Sequence, residues 1–87
     1  MFWWIGEGPR RAGRVELGDH ALSLAATTPE TELDRIQFVD VGDVSVERGL
    51  LHVGRRGEPT LHIGSLDAPG ALNELAERLS RSSGVLR

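Results

Sequence analysis

Cysteine is absent from the 87 residues, and so are lysine and tyrosine. Without cysteine there are no disulfides and no thiolate chemistry, and the redox compartment leaves no trace in the chain. All ten basic residues are arginine, which we read as the codon usage of a GC-rich bacterial genome, because no single site demands it. Long apolar runs are also missing. Phe2-Trp3-Trp4-Ile5 ends at once in Gly6-Glu7-Gly8-Pro9-Arg10-Arg11. That is far short of a signal-peptide core or of the roughly 20 apolar residues of a membrane span. The expectation is a cytoplasmic protein, or a soluble piece of a larger one, with no transmembrane segment. Nor is there a broad positive field. The net charge is −3; residues 1–43 hold four arginines against eight acids, and residues 44–87 hold six against five. Nucleic acid is therefore not an expected partner.

What remains suits one small folded domain over residues 1–87, with 39% hydrophobic and 26% charged residues. The clearest element is a helix over about residues 67–82, DAPGALNELAERLSRS. Ala68, Ala71, Leu72, Leu75, Ala76 and Leu79 follow the helical period and form one apolar stripe. Asp67 suits the N-cap, and Pro69 sits in the first turn, where a missing N–H costs little. Glu74 with Arg78 and Glu77 with Arg81 are i,i+4 pairs on the opposite face, and Gly84 suits the position after the C-cap. A helix of four turns is marginal alone, so its leucines require cover from the rest of the chain.

Before the helix, short alternating segments read as strands. Phe2–Ile5 is a possible first strand and 6–13 a loop. Arg14–Leu17 and His20–Ala26 form a hairpin in which Val15, Leu17, Leu22 and Leu24 share the core face. Leu33–Val39 is a further strand of ambiguous phase, with Ile36 and Phe38 on one side. Gly42-Asp43 breaks the run before Val44–Glu47, and Arg48-Gly49 turns the chain into Leu50–Val53. The next turn leads to Thr60–Ile63. Pairing Val53 with Leu61 and Leu51 with Ile63 keeps all four on one face and sets His52 opposite His62 on the other. The fold class is mainly β (α+β): six to seven antiparallel strands in a barrel or sandwich, closed by the C-terminal helix.

This order resembles the pleckstrin-homology-like (PH-like) fold in its small bacterial form. The resemblance lies in GRVELGDHALSLAA, in DRIQFVDVGDVSVERGLLHVG, and in PTLHIGSL followed by the helix. It covers nearly the whole chain as pattern and topology. One departure is plain: the eukaryotic family carries a tryptophan in its last helix, and here Trp3 and Trp4 stand at the N-terminus. The resemblance implies a non-enzymatic interaction or assembly module. It also implies that a basic loop after the first strand, here Arg10, Arg11 and Arg14, is where anionic headgroups or phosphate ligands bind. The acidic domain and the flanking Glu7 and Glu16 weigh against that alternative.

Other chemistry has little support. His52 and His62 are two imidazoles where a stable zinc site wants three or four ligands, so no metal or cofactor is expected. The serines lack a nucleophile-elbow context, Asp40 and Asp43 lack the ligand density of a calcium loop, and no enzyme is expected. Phe2, Trp3, Trp4 and Ile5 are the candidate interface, either packed on their own domain or serving a protein partner or self-association.

Overall fold

The computed structural model describes residues 1–27, 30–66 and 70–84. Among the described residues eight strands, one more than the six to seven expected because Arg11–Ala12 adds an edge strand, precede one helix: β1 (Phe2–Ile5), β2 (Arg11–Ala12), β3 (Arg14–Leu17), β4 (Ala21–Thr27), β5 (Glu30–Gln37), β6 (Val41–Glu47), β7 (Leu50–Arg55), β8 (Glu58–Gly64) and α1 (Gly70–Ser83). They form two antiparallel sheets, one of five strands in the order β2-β1-β8-β7-β6 and one of three in the order β3-β4-β5. β2 and β3 are successive parts of one ribbon on either side of Gly13, so this ribbon serves both sheets. At the join, the Gly13 N–H donates to the Met1 carbonyl at 2.9 Å and the Met1 amino group donates to the Gly13 carbonyl at 3.1 Å. Among the described residues the strand pairings do not close the sheets into a barrel.

Alternation builds the core. Trp3, Leu51, Val53, Leu61 and Ile63 from one sheet meet Leu22, Leu24 and Ile36 from the other, and all are buried. Val15, Leu17, Val44 and Val46 pack around this cluster, half-buried. The anticipated β7–β8 register is present: Leu51 opposite Ile63, His52 opposite His62, Val53 opposite Leu61. Slipping it by one residue would put two leucines, a valine and an isoleucine in water, at about 1.5–3 kcal/mol each. The β6–β7 turn has both central residues at positive φ, Arg48 at 53° and Gly49 at 76°. That is the twist-matched two-residue hairpin, which Gly49 makes without the Cβ clash that Arg48 must accept.

The helix α1 lies against β6, β7 and the turn at residues 38–40, with Leu72, Leu75 and Leu79 buried. Its role as the cover of the core is as expected. Glu77 and Arg81 form their ion pair on its outer face. The expected cap Asp67, with Ala68 and Pro69, lies outside the described residues.

Three local expectations differ. Arg11–Ala12, read as loop, is strand, because its backbone pairs with Phe2 and Trp3 at the sheet edge and edge completion outweighs the Gly/Pro content around it. The segment read as a strand to Val39 leaves the sheet after Gln37 and forms a 3-10 turn over Phe38–Asp40. This turn buries Phe38 and leaves Val39 77% exposed. It is anchored by the Phe38 N–H donating to the His20 carbonyl and the Arg56 N–H donating to the Asp40 carbonyl, each at 2.9 Å. Gly42-Asp43 does not end a strand; β6 runs through it with a shift of register between Val41 and Asp43.

Candidate interaction face

The segment Phe2–Ile5 is divided by the pleat. Trp3 points into the core and is fully buried, and Ile5 packs against the same cluster. Phe2 and Trp4 lie on the opposite, outer face, half-buried. The edge of β1 is not free, since β2 pairs on one side and β8 on the other. What this segment offers a partner is therefore side chains, not backbone.

Register carries the outer row across the sheet. Trp4 is opposite His62, His62 opposite His52, and His52 opposite Ser45. The rings touch in sequence. Phe2 and Trp4 are parallel within 5° at 6.3 Å between centroids. Trp4 stacks on His62 at 5.0 Å, and His62 meets His52 edge-on at 5.0 Å. Gly64 lies beneath Phe2; a Cβ there would overlap the phenyl ring. Arg10 caps the row, its guanidinium carbon 4.8 Å from the Trp4 centroid and 5.5 Å from that of Phe2. At such a partly exposed site this contact contributes about 0.5–1 kcal/mol.

The two histidines bring their Nδ1 atoms within 2.8 Å of each other. A hydrogen bond there requires one ring to donate and the other to accept, so the pair takes complementary tautomers. Burial, and then the neighbouring His52, hold the His62 pKa below the ordinary histidine value.

On the inner side of β1 a second polar contact is built. The Trp3 indole N–H donates to Asp34 Oδ2 at 2.9 Å, and Arg11 Nε stands 3.9 Å from the same oxygen. Asp34 shares the inward phase of Ile36 on β5, which places its carboxylate at the margin of the core. No motif marks Asp34 in the sequence; its one signal there is the two-residue spacing from Ile36.

The arginines singled out from sequence do not converge. Arg10 lies on the aromatic rings, Arg11 faces Asp34, and Arg14 pairs with Glu16 at 3.1 Å. His20 is exposed, as expected for a residue after a turn. A hollow of about 70 Å³ lies between Trp3, Trp4, Pro9, Arg11 and Asp34, and two others reach about 210 and 140 Å³. All three fall below the roughly 300–1,000 Å³ of a small-molecule site. No helix among the described residues is long and apolar enough to cross a membrane. No protein-family model, no curated protein and no solved structure matches the chain.

Proposed function

We propose that the protein is a non-enzymatic interaction module of PH-like architecture, and that its working surface is the outer face of the five-stranded sheet around Trp4. The observation that supports this most is the continuous row Phe2–Trp4–His62–His52, capped by Arg10. Tryptophan and arginine are the side chains most often responsible for binding energy at protein interfaces. Here Trp4 is held on a strand and Arg10 is laid over its ring before any partner arrives, which lowers the ordering cost of association. The small volume of the hollows argues in the same direction, since it leaves little room to enclose a substrate.

Self-assembly through this face is the first form to test, by sedimentation velocity over a range of concentrations. The wild type is expected to associate with rising concentration, and Trp4→Ala to remain monomeric with an unchanged far-UV spectrum. A wild type that stays monomeric throughout ends the self-assembly form of the proposal. Binding of anionic headgroups through Arg10, Arg11 and Arg14 is the weaker reading, because each guanidinium already has a separate partner within the domain.

A further inference from the structure

The contact between His52 and His62 has a geometry that an interaction face does not require. We propose that these two imidazoles form a bidentate site for a divalent transition metal of tetragonal preference, Cu(II) foremost, with water or an exogenous donor completing the coordination.

Three observations carry this. First, the two residues are directly opposite each other on β7 and β8, which are both interior strands of the five-stranded sheet. The separation of the two rings is thus set by the backbone ladder and not by loop motion. Second, the two Nδ1 atoms face each other at 2.8 Å, so both come within reach of one ion once the hydrogen bond between them opens. Two nitrogens about 2.0 Å from one ion stand about 2.8 Å apart at a right angle, and about 3.3 Å apart at the tetrahedral angle. Both separations are accessible to a cross-strand pair whose rings turn, and the Irving–Williams order places Cu(II) above Zn(II) at imidazole nitrogen. Rotation of the rings about their Cβ–Cγ bonds aims both lone pairs at the ion. Third, the surroundings favour a cation on that side. Trp4 stacks on His62 at 5.0 Å, close enough to report an ion held there. Asp43, Ser45 and Glu47 occupy the outward phase of β6, the strand next to His52. The positive Arg10 lies over Trp4 and Phe2, two strands away from His52.

No third His, Asp or Glu joins the pair among the described residues. The site is accordingly an open one, with the ion exposed to solvent ligands. The proton between the two Nδ1 atoms moves to an Nε2 through water as the metal enters, so each ring stays neutral while it coordinates.

The test is titration of Cu(II) chloride into the intact protein at pH 7.5, with citrate, which has no nitrogen donor, as a competing chelator. Tryptophan emission and electron paramagnetic resonance are read together. We expect saturation at one copper per chain, quenching of Trp4 emission, and hyperfine splitting from two nitrogens. His52→Asn and His62→Asn should each weaken binding by more than about tenfold, and His20→Asn should leave it unchanged. The nitrogen count is read on the wild type and does not depend on how well the variants fold. A spectrum with fewer than two coordinated nitrogens, a ratio of one copper to two chains, or binding retained in both His52→Asn and His62→Asn would each overturn the site.

Discussion

Trp3 and Trp4 are neighbours in sequence with opposite physical roles, and substitution should separate them. Trp3→Ala removes a fully buried side chain and leaves the Asp34 carboxylate without its indole donor. It is expected to cost about 3–5 kcal/mol in urea denaturation. Trp4→Ala removes a half-buried outer ring and is expected to cost well under half of that. Equal losses would mean that both rings belong to the core. Asp34→Leu should cost about 1–3 kcal/mol, because the Trp3 N–H then has no acceptor, and Asp34→Asn should cost less because its amide oxygen still accepts. His62 adds a pH dependence. The folded pKa of His62 lies below its ordinary value, so the unfolded chain binds the proton more readily. Stability is then complete above about pH 6.5 and falls as the pH drops from there through the lower folded value. A flat stability profile from pH 7.5 to 5, or one unaltered by His62→Gln, would contradict this. In sequence Phe2–Ile5 is a single candidate interface; the strand period divides it, and only the sheet decides which of its faces is covered.

Among the elements, those defined by a strong period were readable in advance. The β7–β8 hairpin keeps its inferred register because a slip of one residue exposes four large apolar side chains. The helix was readable because its leucine stripe repeats over three turns, and Leu75→Asp tests its packing. That change places a charge where α1 meets the sheets, adding to the about 2–5 kcal/mol of a lost leucine side chain. No cooperative melt is expected; a midpoint near that of the wild type would show the position to be tolerant of water. β2 and the turn at residues 38–40 were not readable, for a different reason. Neither has a period of its own. β2 exists because Phe2 and Trp3 leave backbone groups open beside it, and the turn exists because Phe38 must stay buried while the chain passes from one sheet to the other. The row Trp4–His62–His52 was half legible, since the histidines were placed opposite each other but nothing in the sequence aligned β1 with β8.

At the scale of the molecule, two sheets share one ribbon and one helix covers the core they form. Vesicle co-sedimentation tests whether the arginines act together on this scale. With their partners distributed over Trp4, Asp34 and Glu16, little salt-sensitive binding to anionic vesicles is expected. Strong binding at low salt that disappears at high salt would restore the headgroup reading. The pairing of β1 with β8 has a further consequence, for the order of events during synthesis. Phe2 leaves the ribosome some sixty residues before its partner Gly64, and Trp3 waits for Ile63. Until that late strand emerges, the tryptophan pair has no sheet to enter. The aromatic stretch Phe2–Ile5 stays uncovered while β2 to β7 are synthesised, and the domain is expected to fold in one step after β8 emerges, on the slower timescale of non-local β pairing.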